Sequence, residues 1–415
     1  MQKKLLAALT VLALNQAAGA TDLERLRFSG FGTLGVVHSN DKSADFRSNI
    51  EQASGPGLTH KIDSGLDSVF GAQADINLLP GLTGTAQVIS RRLSDMNLSK
   101  PYFEWANVKY QATRDLYVRG GRIVAPMFLI SESRMVGYGQ TAVRPSDEVY
   151  TINPVTYING ADIGYRFEGG PVLFKIGAAG GTLTQTITSG TATSKYYFNA
   201  KLFNGSAEYK GSTFRAGYAK LAIDIKSDMF AVRNAALDKL VANKVPNAYM
   251  VQENTATNNV NVDFYNLGYV YDRDQWLFQA EFGSRKSDKD CIVDMDGVWL
   301  LAGYRLGKFT PYLSWSKMSH KSAISLPTLD TSLLATTAEK NSVNAVNTNF
   351  MQRFDRGDIA AGLRWDVLEN VALKVQMDRI HKGAGGQAYF VNGTAEFAGN
   401  NRTINLYSAT LDYVF

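Results

Sequence analysis

The chain has 415 residues, with 43 Lys and Arg against 38 Asp and Glu, and this net charge of +5 gives no indication of nucleic-acid binding. A single cysteine excludes an intramolecular disulfide and a four-cysteine zinc site, and four histidines leave little for a histidine-rich metal centre. We expect no cofactor and no metal. Because 45% of the residues are hydrophobic, the chain is expected to fold rather than to remain disordered.

The first twenty residues have the three parts of a secretory signal peptide. Lys3 and Lys4 form a basic start, Leu5–Leu14 is an apolar stretch, and Ala18–Ala20 is a small-residue cleavage site. We therefore predict a signal peptide over residues 1–20, cleaved near Ala20, and one barrel domain over residues 21–415. No later apolar run approaches the 18 residues of a transmembrane helix. The exported chain is then periplasmic, secreted or a β-barrel of an outer membrane.

The rest of the sequence consists of short segments in which apolar and polar residues alternate. In Asn405–Phe415 the odd positions from Tyr407 onward are apolar and the even positions include Ser408, Thr410 and Asp412, which is the period of a β-strand. Sixteen such segments have approximate centres at residues 32, 73, 87, 107, 119, 164, 175, 200, 217, 267, 280, 301, 313, 362, 375 and 410. Short turns between them alternate with long loops near residues 39–66, 124–160, 222–261, 319–356 and 383–401.

The alternation alone fits both a soluble sandwich and a membrane barrel. Three features together favour the barrel: strands of about ten residues, turns that are short at one end and long at the other, and aromatic residues near strand ends, as at Tyr102, Trp276, Phe309 and Phe415. The strand number is even, as in single-chain bacterial barrels. The predicted fold class is therefore all-β, a transmembrane antiparallel β-barrel of about 16 strands.

These features resemble the general porin family of Gram-negative bacteria, whose members are sixteen-stranded and usually trimeric outer-membrane proteins. The last strand, with Tyr407, Tyr413 and Phe415, and the long segment 124–160 after the fifth strand carry the resemblance. It implies a third loop folded into the lumen, a homotrimer in contact with outer-membrane lipid and lipopolysaccharide, and recognition of Phe415 by the barrel assembly machinery. The family's acidic-aromatic motif in the third loop is replaced here by ISESRMVGYGQTAVRPSDEVY over Ile130–Tyr150.

Charged residues follow the polar face of the predicted strands and are expected to line the lumen. The basic members are Arg91, Lys109, Arg119, Arg166, Lys175, Arg215, Arg305, Arg364 and Lys374, and the acidic members are Asp75, Asp162, Glu281, Asp358, Asp366, Asp378 and Asp412. In a water-filled pore these groups stay solvated and can favour ions of one sign.

A constriction is predicted where a basic wall on strands three to five faces acidic residues of the third loop. The wall comprises Arg91, Lys109 and either Arg119 or Arg122, because the sequence LYVRGGRIV can place either arginine inward. The loop contributes Glu132, Asp147 and Glu148 together with Arg134 and Arg144, and Asp162 and Arg166 follow on strand six. The alternative is that several of these residues are charges of the extracellular rim.

The sequence thus predicts an outer-membrane porin that passes small hydrophilic solutes and ions by diffusion. Two alternatives stay open: a substrate-specific porin for an anion or organic acid, and a plugged barrel whose long loops bind a ligand. No GxSxG, HExxH or P-loop motif is present, so no enzymatic activity is expected. In the loop near residues 222–261, Ser227–Asn243 has the apolar spacing of a helix.

Overall fold

The computed structural model describes residues 25–93, 98, 100–189, 192–321, 326–347 and 354–415; the predicted signal peptide lies outside this range. Sixteen long antiparallel strands each pair with their neighbours along the chain, and the first strand also pairs with the last. Phe31 lies opposite Val414 in this closing pair. The sheet is therefore a closed barrel without a free edge.

The strands begin and end as follows: β1 Leu26–Ser39, β2 Val69–Leu79, β3 Leu82–Arg91, β4 Tyr102–Gln111, β5 Leu116–Val124, β6 Tyr157–Gly169, β7 Val172–Ser189, β8 Ala192–Tyr209, β9 Ser212–Ser227, β10 Val260–Arg273, β11 Trp276–Ser287, β12 Met295–Tyr304, β13 Phe309–His320, β14 Arg356–Leu368, β15 Val371–Lys382 and β16 Arg402–Val414. Each of the sixteen predicted strand centres lies within one of them. A two-residue strand, Ile62–Asp63, also pairs with the end of β1.

The strands alternate between an exposed apolar face and a buried polar face. In β15, Leu373, Val375 and Met377 are exposed, whereas Lys374 and Asp378 are buried. Since the barrel is closed, the exposed face is its outside and the buried face its inside. The predicted antiparallel β-barrel with an apolar exterior is thereby confirmed.

Aromatic side chains form a band around the outside near the short turns. Ring centroids are 5.5 Å apart for Trp276 and Phe278, 5.7 Å for Phe309 and Trp365, and 6.4 Å for Tyr413 and Phe415. Such girdles are typical of the level at which a barrel leaves the hydrocarbon layer.

Five α-helices occur among the described residues, all of them in the long loops: α1 Asp147–Tyr150, α2 Asp228–Ala242, α3 Ala248–Asn254, α4 Thr337–Asn347 and α5 Ala395–Gly399. The helix predicted over Ser227–Asn243 is α2. Leu240, Val251 and Val343 of α2, α3 and α4 share one buried apolar cluster. Among the described residues, no helix is both long and apolar enough to cross a membrane.

Two long loops pack on each other at the end of the barrel opposite the short turns. We call residues 40–68 the first loop, 125–156 the third loop and 383–401 the eighth loop. Asp45 and Val391 exchange two backbone hydrogen bonds of 2.8 and 3.0 Å, and Arg47 Nε donates to the Tyr389 carbonyl at 2.6 Å. The first and eighth loops are therefore held together by main-chain contacts.

Candidate functional site

The third loop contacts the buried face of strands on the far side of the barrel from β5. The Leu129 amide and the Tyr150 hydroxyl donate to the two carboxylate oxygens of Glu281 on β11 at 2.8 and 2.6 Å. Phe128 stacks on Tyr150 with centroids 4.6 Å apart and meets Phe264 of β10 edge-on at 5.1 Å. Because these rings are almost fully buried, this part of the loop has its own apolar core against β10 and β11.

Glycines allow the closest approaches between the loop and the strands. A Cβ atom at Gly297 of β12 would lie 2.1 Å from the carbonyl oxygen of Glu148, which is backbone and cannot turn away. A Cβ at Gly137 of the third loop would lie 2.2 Å from Oδ1 of Asp412 on β16. Both positions require glycine for the observed packing.

The second half of the loop is attached by a buried ion pair. Arg356 Nε of β14 donates to Glu148 Oε1 at 2.7 Å, and its Nη2 lies 3.6 Å from Asp147 Oδ2. Ser316 of β13 donates to the other oxygen of Glu148 at 2.8 Å. Burial acts to raise the pKa of Glu148, but Arg356 and the Ser316 hydrogen bond outweigh it, so that pKa is lowered.

Asp147, next to Glu148, has the opposite shift. Burial, assisted by the negative charge of Glu148, raises the pKa of Asp147 to about 7, although Arg356 acts against the shift. One of the two neighbouring carboxyl groups is thus ionised across the physiological range, and the other titrates within it.

A second attachment holds the middle of the loop nearer the short turns. Lys374 Nζ of β15 donates to the carbonyls of Gly137 and Ala142 at 2.7 and 3.1 Å and lies 3.1 Å from Asp412 Oδ2. The Tyr138 hydroxyl reaches the carbonyl of Glu369 in the turn between β14 and β15 at 2.5 Å. The loop therefore contacts residues near the short-turn end of β14 and β15.

Arg144 joins the third loop to the first loop and to the strands. Its guanidinium makes two hydrogen bonds of 2.9 and 2.6 Å to Asp67, lies 3.3 Å from Asp378 of β15 and donates to Ser408 of β16 at 2.7 Å. A bidentate arrangement of this kind fixes orientation as well as distance.

The basic residues predicted for strands three to five line the inner face of β3, β4 and β5 at two levels. Arg91 Nε donates to the Tyr102 hydroxyl at 2.8 Å, and Nη2 lies 3.6 Å from Glu51 of the first loop. Lys109 lies over the ring of Tyr117, and Arg119 forms two hydrogen bonds with Asp162 at 3.0 and 2.6 Å. Tyr102 and Lys109 are seven residues apart on β4, so Arg91 and Lys109 are separated by roughly 23 Å along the strand.

Two charged residues of the third loop are directed at this wall. Glu132 is exposed and lies within electrostatic range of Arg119. Arg134 lies near Arg91 and donates to the Tyr150 carbonyl at 3.1 Å. Burial lowers the pKa of Arg134 to about 10, and the positive charge of Arg91 acts in the same direction. Arg91 and Arg134 border one cavity of about 110 Å³ together with Asn49, Gln52, Arg144 and Asp147.

Several predicted constriction residues lie elsewhere than expected. Arg122 bonds Asn159 and the Phe103 carbonyl on the outer face, because it is three residues from the inward Arg119 and strand side chains alternate. Arg166 pairs with Asp115 at the short-turn end and is about half exposed. Glu148 does not face the basic wall, because Arg356 holds it against β14. Asp147 is farther from Arg356 and borders the cavity that Arg91 also lines.

Sequence reasoning missed four charged residues of the site. Arg356 is an even-numbered residue of β14, like the inward Asp358 and Arg364. Extending the alternation two residues toward the N-terminus would have placed Arg356 on the inner face. Glu104 lies at an irregularity between β3 and β4, where strand periodicity is interrupted. Glu51 and Asp67 belong to the first loop, which has no periodic pattern to follow.

Stability is expected to depend on pH through Asp147. Its pKa is about 7 in the folded chain against an ordinary value of 3.8, so folding favours the protonated form. This contribution is fully present below about pH 4 and is lost as the pH rises to about 7. The unfolding temperature, measured from the change in electrophoretic mobility on heating, should fall between about pH 4 and about pH 7.

The variant Asp147→Asn should remove most of this fall, because asparagine has no proton to lose. Glu132→Gln, an exposed acid of the same loop, is the matched control and should keep the pH dependence of the parent chain. Equal slopes for parent and Asp147→Asn would contradict the assignment.

The fold is similar to those of known outer-membrane channels, although no family model and no curated protein sequence matches the chain. Salmonella typhi OmpF, in a complex with daunomycin, has a TM-score of 0.55 at 12% identity, over 94% of this chain and 97% of that one. An anion-selective porin from Comamonas acidovorans has a TM-score of 0.53 at 13% identity, over 94% and 99%. A trimer form of Vibrio cholerae OmpT, an outer membrane protein, has a TM-score of 0.53 at 10% identity, over 94% and 99%. The chain therefore has the sixteen-stranded barrel fold of outer-membrane porins.

Proposed function

We propose that the chain is an outer-membrane porin through which small hydrophilic solutes and ions diffuse. The apolar, aromatic-banded exterior fits a hydrocarbon layer, and the charged interior fits an aqueous passage. In a closed barrel each strand is hydrogen-bonded to a neighbour on both sides, so no row of backbone N–H and C=O groups is left unpaired in lipid. No catalytic role and no cofactor form part of this proposal.

The observation that carries the proposal is the one-sided attachment of the third loop. Its contacts go to β9–β16, through Arg215, Glu281, Arg356, Arg364 and Lys374. The loop also packs against the neighbouring β1, where Gly137 lies beside Thr33. The wall with Lys109 and Arg119 keeps its own partners on β5 and β6. We infer that the third loop lies inside the lumen as its constriction and that solutes pass between this loop and the inner face of β2–β6.

A liposome swelling assay tests the passage of uncharged solutes. Vesicles containing the folded chain should swell in a monosaccharide, more slowly in a disaccharide, and hardly at all in a large oligosaccharide, because the loop sets an upper size. Vesicles made with heat-unfolded chain are the control. If vesicles with a folded, heat-modifiable barrel did not swell in any of the sugars, the proposal would be overturned and the plugged barrel would be favoured.

A finer proposal is a preference for anions at the constriction. Arg91 and Arg134 border the same cavity, and Nη1 of Arg134 is buried without a hydrogen-bond partner among the described residues. Two adjacent guanidinium groups would attract a carboxylate or halide more than a cation.

Replacing both arginines should reduce this preference. The double variant Arg91→Gln with Arg134→Gln should lower the anion-to-cation permeability ratio by about twofold or more. The measurement is the reversal potential of single channels under a potassium chloride gradient. Lys308→Gln, an exposed lysine at the short-turn end, is the control. An unchanged reversal potential in the double variant would contradict an anion-selective constriction.

The expected partners remain part of the proposal. A homotrimer is supported by the porin fold and by the trimer form of one structural neighbour. Outer-membrane lipid and lipopolysaccharide would surround the apolar belt, and the barrel assembly machinery would recognise the strand that ends at Phe415. Size-exclusion chromatography with light scattering in detergent distinguishes a trimer from a monomer.

A further inference from the structure

Four lysines form two directly opposed pairs on the outer face of β8 and β9. Lys201 lies opposite Lys220, and Lys195 lies opposite Lys226 in the register of the two strands. All four side chains are exposed. Lys195 and Lys201 are odd-numbered like the exposed Phe203 of β8, where Ala200 and Leu202 are buried, and Lys220 and Lys226 are even-numbered like the exposed Phe214 of β9. Like charges directly opposite each other destabilise a sheet, so two such pairs on one strand pair are unfavourable in the isolated chain.

Two carboxylates lie on the same face as the lysines but form no ion pair with them. None of the four forms an ion pair with a described acidic residue. Asp263, opposite Lys220 on β10, accepts the Tyr218 hydroxyl at 2.5 Å, and Asp224 accepts the Asn259 amide at 2.7 Å. Because four lysines face two carboxylates, the patch keeps an excess of positive charge for an external anion.

A row of aromatic side chains indicates the membrane depth of Lys201 and Lys220, here called the lower pair; Lys195 and Lys226 are the upper pair. Phe203, Tyr218 and Tyr265 lie side by side on β8, β9 and β10, with centroids 6.5 and 5.2 Å apart. Lys201 and Lys220 lie two residues farther from the short turns, or about 7 Å along the strand. Aromatic side chains of this kind mark the membrane interface, so the lower pair lies at the depth of lipid headgroups.

The upper pair lies well beyond that depth. Lys195 is six residues from Lys201, which is about 20 Å along the strand and about 15 Å in height for a strand tilted by about 40°. Thr186 of β7 lies opposite Lys195, and Thr184 lies opposite Tyr197, so hydroxyl groups flank the lysines. A glycerophospholipid has phosphate only at the interface, whereas a lipid with phosphorylated sugars has phosphate at both depths.

We propose that the four lysines, here called the lysine patch, bind the phosphate groups of lipopolysaccharide, with Lys201 and Lys220 on the lipid-anchored phosphates and Lys195 and Lys226 on phosphates of the core sugars. This rests on the proposed location in the outer membrane. The ammonium groups supply charge-assisted hydrogen bonds, and bound phosphate removes the repulsion within each pair.

The test compares two double variants of the full chain in detergent micelles: Lys201→Gln with Lys220→Gln, and Lys195→Gln with Lys226→Gln. The probe is purified lipopolysaccharide with a phosphorylated core, titrated to obtain a dissociation constant. Each basic residue near a membrane surface contributes about fivefold in affinity, so each double variant should bind about 25-fold more weakly. The matched control, Lys210→Gln with Lys308→Gln, neutralises two exposed lysines at the short-turn end and should bind like the parent.

Two further probes separate the sources of phosphate. Lipopolysaccharide with a dephosphorylated core should bind equally well to the parent and to the variant that lacks Lys195 and Lys226. The affinity for phosphatidylglycerol should also be the same for the parent and this variant. Parent-like affinity for the phosphorylated lipid in both double variants, or equal losses with phosphatidylglycerol, would overturn the proposal. Single-channel conductance of the same variants should be unchanged, because the lysine patch is on the outside. If the chain were not a porin, the parent would therefore show no conductance, whereas the lipid titration would be unaffected.

Discussion

Replacing Arg356 by Gln is expected to release the third loop from β14. The Arg356 side chain is 1% exposed and that of Glu148 is 3% exposed, so glutamine would leave a buried carboxylate without its cation. Removing one partner of a buried ion pair costs about 3–5 kcal/mol. The released loop should be cleaved by protease within residues 125–156, and single-channel current should become noisier. The free energy of unfolding from urea titration in lipid vesicles should fall by a similar amount.

Comparing Arg356→Gln with Arg166→Gln tests whether burial of the ion pair causes the loss of stability. Arg166→Gln breaks an arginine–aspartate pair that is about half exposed and should cost less than about 1 kcal/mol. Adding Glu148→Gln to Arg356→Gln removes the unpaired charge and should restore part of the stability. If Arg356→Gln were cleaved no faster than Arg166→Gln, the loop would have another main attachment.

Replacing Lys374 by Met is expected to cost a similar amount at the other attachment. Lys374 and Asp412 have no exposed side-chain surface, and methionine keeps the length of the side chain but not its charge. Asp412 would keep only the hydroxyl donors of Thr33 and Thr410, and the Gly137 and Ala142 carbonyls would lose their donor. The expected loss is about 3–5 kcal/mol in the same urea titration.

A control variant and a rescue variant distinguish the effect of the buried charge from the effect of lost packing. Lys175→Met removes a partner of Glu208 from a pair whose side chains are 51% and 35% exposed, and it should cost less than about 1 kcal/mol. Lys374→Met with Asp412→Asn should recover part of the loss, because no charge is then buried alone. An effect of Lys374→Met as small as that of Lys175→Met would show that the pair is hydrated and does not hold the loop.

The strands were predictable because each of them separates an apolar exterior from a polar interior. The period of two is visible in segments as short as Val371–Asp378, and it places Lys374 and Asp378 on the inner face as observed. The helix α2 was predictable for a related reason, since its apolar residues recur at helical spacing. Local periodicity therefore accounts for the number of strands and for most of the inner and outer faces.

The third-loop contacts were not predictable, because they join residues far apart in sequence. Glu148 and Arg356 are 208 positions apart, and Arg144 and Asp378 are 234 apart. Nothing local distinguishes the acids that bind a distant arginine from those that face the passage, so Asp147 and Glu148 were grouped with Glu132. Only Glu132 lies toward the wall that contains Arg119.

We expect the closed barrel to contain an open passage that the third loop narrows. Single-channel recording in a planar bilayer with detergent-purified, heat-modifiable chain tests it most directly, with Arg356→Gln recorded beside the parent. We expect stable conductance steps in groups of three for the parent and larger, noisier steps for the variant. No conductance from either folded barrel would contradict it, and identical steps from both would place the constriction away from the third loop.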